Sequence, residues 1–329
     1  MRGQCLRLAP HYAYRDQAFC RLGNGDNIPN KGNLAKCLVV AVGHASGASI
    51  VMSNMVQTKA LYEQLLATRS FAKEPVQTVL RGVQWVARGR LARTACFRVP
   101  FGPQTFLMQL QSMKRGYGSA GIFVQRQYYE PLLEFGHRLM SKGDAVIDGG
   151  ANQGIFTCAF ASAVGPKGMV YAFEPQGYAL ACLAQNLRVN GFNHVKIFAG
   201  ALSDSPGEVF LNLDGGPVAA SISDAPRGEN VERVRCYSLG ELFEQRHIKA
   251  VQFIKLDVEG AELKTLLGAA QLIRSDKPAI CIEALEQDPY LNIADYLKQY
   301  GYTAYTYTPR GDLMKFTDFF PSPNVFFLQ

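Results

Sequence analysis

The stretch Asp144-Ala145-Val146-Ile147-Asp148-Gly149-Gly150-Ala151-Asn152-Gln153-Gly154 limits the folds open to this chain more than any other, because an apolar run ends in an acid and then in a turn crowded with glycine. The β-branched Val146 and Ile147 suit a buried parallel strand, and the turn must bend sharply where a helix, Ile155 to about Val164, begins. Such a joint lets a ligand approach the backbone and meet the free N–H groups of the helix start, which is how open α/β sheets bind nucleotide-like molecules. Strand-glycine-helix joints also occur with no ligand, so a second feature has to decide.

That feature is the next apolar run, Met169-Val170-Tyr171-Ala172-Phe173, which ends in Glu174-Pro175. Glu174 lies about 20 residues beyond Gly154, the place for a carboxylate that accepts both ribose hydroxyls. A nicotinamide dinucleotide and S-adenosylmethionine both carry such a ribose, and Asp148 discriminates between them. An anion at the strand end repels a pyrophosphate lying against the helix, whereas the sulfonium and ammonium groups of S-adenosylmethionine are cationic. The expected cofactor is therefore S-adenosylmethionine, held by Asp148, Gly149, Gly150, Ala151, Asn152, Gly154, Glu174 and Pro175, with Ala201, Leu202 and Ser203 giving a flat slot for the adenine.

Four motifs in order, Asp148 to Gly154, then Phe173-Glu174-Pro175, then Ala201-Leu202-Ser203-Asp204 with Gly207, then Ile254-Lys255-Leu256-Asp257-Val258-Glu259-Gly260-Ala261-Glu262, resemble the FkbM-type family of class I S-adenosylmethionine-dependent methyltransferases. The last motif is the most specific. The likeness begins near Tyr117-Gly118-Ser119-Ala120-Gly121, runs through Arg126 and Tyr129-Glu130-Pro131, and continues to the C-terminus; residues 1–75 lie outside it. It implies a Rossmann-like, doubly wound α/β fold with a mostly parallel seven-stranded sheet whose final strand is antiparallel. It also implies O-methylation of a hydroxyl on a sugar, glycolipid or polyketide-like metabolite.

The chain divides by charge. Residues 1–143 carry 19 Lys and Arg against 6 Asp and Glu, and residues 144–329 carry 15 against 21. A basic front suits an anionic surface, or simply a solvated face that balances an acidic domain. Its densest part, Arg81, Arg88, Arg90, Arg93 and Arg98 among Val83, Trp85, Val86 and Leu91, reads as a basic amphipathic helix that could touch a membrane, with Gly82 and Gly89 working against that reading. Residues 1–51 are expected to be a poorly ordered or non-native extension, with Met52 or Met55 as alternative starts, and residues 52–116 a helical, basic region before the methyltransferase domain of 117–329. No secretory signal or spanning segment is read. The eight cysteines, at 5, 20, 37, 96, 158, 182, 236 and 281, show no CxxC pair, and Cys158, Cys182 and Cys281 fall in core elements; a cytoplasmic setting follows.

Further along, the periodicity predicts helices over 132–140, 177–190, 261–274 and 293–300, strands over 195–199, 251–256, 279–282, 303–308 and 325–328, and strands or a hairpin over 208–213 and 231–237. Gly215-Gly216 and Ser221 to Asn230 read as a loop, either a substrate lid or a plain connection. The carboxylates at strand ends, Asp257, Glu259 and Glu283, sit where ligands of open sheets bind. Asp257 is the first candidate for general base or acceptor anchor, and its alternative role is to cap the helix at Ala261. Lys255, unusual in a central strand, either pairs with an acid or hydrogen-bonds the acceptor oxygen. No Asn-Pro-Pro-aromatic run and no Pro-Cys nucleophile follows the fourth strand, so base methylation is disfavoured; a divalent metal on Asp257 and Glu283 stays open as the lesser alternative, since no His or second Asp has ligand spacing. The competing readings are an inactive methyltransferase-fold binding module that docks on nucleic acid or membrane through residues 81–98, and methylation of a nucleic acid or protein acceptor.

Overall fold

The computed structural model describes residues 66–91, 94–111, 118–214 and 220–329. Expectations for residues 1–51, for the part of the helical, basic region over 52–65, and for Tyr117 and Gly215-Gly216 fall outside these described residues.

The front of the described chain is α1 (Arg69–Lys73), α2 (Pro75–Arg90), β1 (Thr94–Phe101), β2 (Gln104–Gln111), α3 (Ser119–Gln125) and α4 (Pro131–Phe135). The region expected to be helical and basic thus contains a β-hairpin, and the basic helix expected over 81–98 ends at Arg90. The reason is legible in Thr94–Phe101, where exposed and buried residues alternate with period two. The hairpin's outer edge is covered by two side-chain amides of a helix described below. Asn190 Oδ1 accepts from Leu107 N at 2.7 Å while its Nδ2 donates to Leu107 O at 2.8 Å, and Asn186 Oδ1 accepts from Gln109 N at 2.7 Å. These amides take the place of part of a third strand at Leu107 and Gln109. The helix expected over 132–140 is only α4, followed by a 3₁₀ turn over Gly136–Leu139.

The central part alternates β3 (Ala145–Gly149), α5 (Ile155–Val164), β4 (Met169–Glu174), α6 (Gly177–Asn190) and β5 (Val195–Ala199). An insert follows, β6 (Ala201–Ser203), β7 (Gly207–Asn212), β8 (Ser221–Ser223) and β9 (Val231–Ser238), which forms its own sheet in the order β6-β9-β7-β8. The chain then runs through α7 (Leu239–Glu244), β10 (Val251–Leu256), α8 (Glu262–Gly268), α9 (Ala270–Asp276), β11 (Ala279–Ala284), α10 (Gln287–Lys298), β12 (Thr303–Tyr307), β13 (Leu313–Lys315) and β14 (Ser322–Leu328).

The main sheet is ordered β13-β12-β14-β11-β10-β3-β4-β5, parallel from β11 to β5 and antiparallel around β14. The fold is the expected doubly wound α/β sheet, with an eighth strand, β13, that the periodicity does not predict. β10 lies beside β3, so the strand order reverses there, and the carboxyl ends of β3, β4, β10 and β11 open on one crevice. Apolar residues fill both faces: Val146, Phe160 and Phe253 on one, Ile147, Ile254 and Leu266 on the other.

Two further corrections concern local geometry. Part of the expected loop 221–230 is strand β8, paired antiparallel with β7. The single helix expected over 261–274 breaks at Ala269, where Leu267 turns out to solvent at 47% exposure. Gly268 comes so close to the insert that a Cβ there would lie 2.7 Å from Asp204 Cα, and that contact turns the chain. Cys158 and Cys281 are buried as expected, whereas Cys182 is only half-buried.

Candidate functional site

A cavity of about 370 Å³ opens at the carboxyl ends of β3, β4, β10 and β11, within the range of small-molecule sites. The glycine turn makes one wall. Gly150 N and Ala151 N both donate to Phe173 O at 3.0 Å, so the turn is tied to the end of β4. Gly150 has φ +75, and a Cβ on it would collide with the Asp257 carbonyl oxygen. Only glycine lets the two strand ends approach this closely.

Glu174 is 4% exposed and lines the cavity. Its Oε2 accepts from Asn152 N and its Oε1 from Gln176 N, each at 2.8 Å. Burial pushes its carboxyl up to about 7, against the two backbone N–H groups that favour the anion. Each oxygen keeps further lone-pair capacity for a donor from the cavity. The carboxylate is thus fixed by the backbone in the place where ribose hydroxyls are expected. Ala151, Asn152, Pro175, Ala201 and Leu202 line the cavity with it.

Four residues expected at the cofactor do not line the cavity, each for a physical reason. Gly149 is roofed over, since a Cβ there would lie 2.9 Å from both Leu202 Cδ1 and Leu256 Cδ2. Gly154 starts α5 in the left-handed region, φ +90, facing Leu183. Ser203 is buried and donates to Asp204 Oδ1 at 3.1 Å. Asp148, fully buried, lies beneath the floor, where its Oδ2 accepts from Thr157 Oγ1 at 2.5 Å and its Oδ1 faces Lys255 Nζ at 3.8 Å.

The four catalytic candidates do converge on the cavity: Lys255, Asp257, Glu259 and Glu283 all line it. The Lys255 ammonium is 3% exposed and sits 3.3 Å from Asp257 Oδ2 and 4.8 Å over the Phe156 ring. Burial alone would lower its pKa, but the Asp257 and Asp148 carboxylates outweigh that and hold it above its ordinary value. Lys255 is therefore a cation bridging a buried acid below and a half-buried acid above. Asp257 does not cap the following helix: α8 begins at Glu262 with Ala261 in the capping position. The loop is held instead by the buried Glu262, whose carboxylate accepts from Val258 N and Gly260 N at 3.0 Å each. Glu259 is held at φ +49 in that loop, a conformation that costs a non-glycine residue about 1–3 kcal/mol.

One oxygen from each of Asp257, Glu259 and Glu283 lies within 4.8 Å of the others, and among the described residues this trio has the spacing to hold a metal ion. Further lining residues were not among those expected from sequence. Tyr129 and Glu130 precede α4, and Leu211, Ala220 and Ile222 come from the insert. Glu130 is 5% exposed, and Asn324 Nδ2 donates to its Oε2 at 3.2 Å. The Tyr129-Glu130-Pro131 run carried a signal for these two as part of the family lead-in. Nothing in the local pattern marked Ile222 as a wall residue.

Comparison with known proteins finds a matching family, the methyltransferase FkbM domain, over residues 148–304. No curated protein matches the chain. Among solved structures, a methyltransferase FkbM from Methylobacillus flagellatus KT is similar at 15% identity and a TM-score of 0.40, with 78% of this chain aligned. The chain spans 60% of the length of that protein. Aeropyrum pernix fibrillarin, solved with natively bound S-adenosyl-L-methionine, aligns at 12% identity and a TM-score of 0.34, covering 57% of this chain and 66% of its own. A Thermotoga maritima SAM-dependent O-methyltransferase aligns at 15% identity and a TM-score of 0.33, covering 59% and 62%. The resemblance carried by the four motifs holds: residues 148–304 of this chain match the methyltransferase FkbM domain.

Proposed function

We propose that the protein is an S-adenosylmethionine-dependent methyltransferase that methylates a hydroxyl of a neutral, polyhydroxylated acceptor such as a sugar, glycolipid or polyketide-like metabolite. The observation that carries this reading is the convergence of Glu174 with Lys255, Asp257, Glu259 and Glu283 on one cavity. S-adenosylmethionine, when bound, supplies an electrophilic methyl group on a sulfonium. The residues present fit it. Glu174 is fixed to accept from the ribose hydroxyls, and Ala201, Leu202, Leu211 and Ile222 give apolar walls for the adenine. The carboxylates around them suit a cationic ligand rather than a polyphosphate.

Methyl transfer to a hydroxyl needs the acceptor oxygen aligned and its proton removed. Asp257, half-buried at the rim, accepts that proton at a carboxylate oxygen, and the Lys255 ammonium 3.3 Å away balances the charge while it is an anion. Glu130, Glu259 and Glu283 offer further acceptors for the other hydroxyls of a polyol. The same carboxylates repel a phosphate backbone, which argues against a nucleic-acid acceptor. The test is transfer of labelled methyl from S-adenosylmethionine into cell glycan, lipid, protein and nucleic-acid fractions, followed by hydrolysis and mass spectrometry. A methyl ether on a sugar or metabolite hydroxyl is expected. Label on nitrogen, or confined to protein or nucleic acid, overturns the acceptor assignment, and failure to bind S-adenosylmethionine would leave a binding module.

A further inference from the structure

Helix α2 has two apolar faces and the protein uses one. Its inner face is Thr78, fully buried and hydrogen-bonded to Ser70 Oγ at 2.7 Å, and Trp85, whose ring lies 5.2 Å from Phe123 of α3. Arg81 Nη1 also donates to Val124 O at 2.9 Å and pairs with Glu74. The opposite face carries Val76, Leu80, Val83 and Ala87 at i, i+4, i+7 and i+11, flanked by Val86 and followed by Leu91. Val76, Leu80, Val83, Val86 and Leu91 are 49%, 54%, 38%, 43% and 61% exposed. Among the described residues, these are five of the nine large hydrophobic side chains that stand exposed. A contiguous apolar stripe of this kind marks an interaction site.

Charge selects the partner. Residues 73–98 hold six cations, Lys73, Arg81, Arg88, Arg90, Arg93 and Arg98, against one acid, Glu74, and that acid is already paired with Arg81. Lys73 and Arg98 stand exposed. A protein groove fitted to this stripe would need a matching acidic rim, whereas an anionic bilayer offers an apolar interior beneath a layer of negative headgroups. We infer that the outer face of α2 docks on an anionic lipid surface, with Val76, Leu80, Val83, Val86 and Leu91 entering the headgroup boundary and the exposed Lys73 and Arg98 meeting the lipid charge. This goes beyond the methyltransferase reading and does not depend on it. It has a bearing on it, because α2 packs on α3, whose Ile122 lines the cavity, so the site lies one helix away from the docked surface.

The test is cosedimentation of the full chain with vesicles of phosphatidylglycerol in phosphatidylcholine, with phosphatidylcholine vesicles alone and high salt as contrasts. Binding is expected to the anionic vesicles at low salt and to weaken by at least about tenfold in either contrast. The combined Val76→Ser, Leu80→Ser, Val83→Ser and Val86→Ser variant should lose at least about tenfold in partitioning with at most a small drop in melting temperature, since these side chains are already 38–54% exposed. Lys73→Glu with Arg98→Glu should weaken binding to anionic vesicles alone, and this variant decides the matter should the serine variant melt early. The proposal is overturned if the full chain ignores anionic vesicles, or if both variants bind as the parent does. It is also overturned if light scattering shows a dimer that the serine variant converts to monomer, because the face then belongs to a second copy.

Discussion

Replacing Glu174 by Gln tests the cofactor site through its charge. Burial raises this carboxyl to about 7, so about a tenth of the chains carry the anion at pH 6 and about nine tenths at pH 8. The anion is the form to which ribose hydroxyls donate most strongly, and it appears as pH rises through about 7. Affinity for S-adenosylmethionine should therefore increase about tenfold, about 1.4 kcal/mol, from pH 6 to pH 8. Gln cannot ionise, so the variant should show no such rise. Each lost charge-assisted bond is worth about 1.5–3 kcal/mol at pH 8, and the gap should narrow by about 1.4 kcal/mol at pH 6, where the parent is mostly neutral. Folding carries the same signature with the opposite sign. The unbound native state holds this proton up to about 7 while the unfolded chain releases it near 4.5, so this group's contribution, on the order of 3 kcal/mol, is lost as pH rises between those values. Titration calorimetry at three pH values and constant ionic strength reads the affinity, and melts without ligand read the stability. A flat parent profile, or a rise of equal size in the Gln variant, would refute the assignment of Glu174.

Asp257→Asn should lower turnover by roughly 10²–10⁴-fold with cofactor affinity nearly unchanged, measured by methyl transfer and calorimetry on one preparation; near-normal turnover would move the base to Glu259 or Glu283. Lys255→Met leaves the fully buried Asp148 without its cation and should cost about 3–5 kcal/mol of stability by denaturant unfolding, with a much smaller loss when Asp148→Asn is added. Gly150→Ala drives a Cβ into the Asp257 carbonyl from a left-handed backbone and should reduce both melting temperature and turnover, whereas Gly165→Ala, whose Cβ meets nothing within 4 Å, should cost only the backbone strain.

The parallel core was readable because each of its signals is local. A β-branched run, an acid and a glycine turn at Ala145–Gly154, and a run ending in Glu174, follow from neighbours in sequence, and the strand ends then bring Lys255, Asp257, Glu259 and Glu283 together by topology alone. What escaped reading depends on contacts between distant segments. The β1–β2 hairpin was hidden because its arginine, Arg98, belongs to the exposed half of an alternating strand, yet the arginines in sequence suggested one continuous helix. The break at Ala269 comes from the approach of Gly268 to Asp204, far away in sequence. Ile222 reaches the cavity because β8 pairs with β7, and three residues of strand give too short a period to recognise.

Asp148 does not act where its place in the sequence suggests. In the sequence its charge favours a sulfonium over a pyrophosphate at the cavity, but in the fold the side chain lies beneath the floor, bonded to Thr157 and facing Lys255. In the proposed reading, the attraction for a cationic cofactor comes instead from the carboxylates that do line the cavity, Glu130, Glu174, Asp257, Glu259 and Glu283. Asp148 acts one step further back. By holding the Lys255 ammonium from below, it fixes the cation that stands 3.3 Å from Asp257, on the acceptor side of the site. A change at Asp148 should then register in turnover and in the pH profile of methyl transfer more than in the affinity for S-adenosylmethionine, the reverse of what a direct cofactor contact would give.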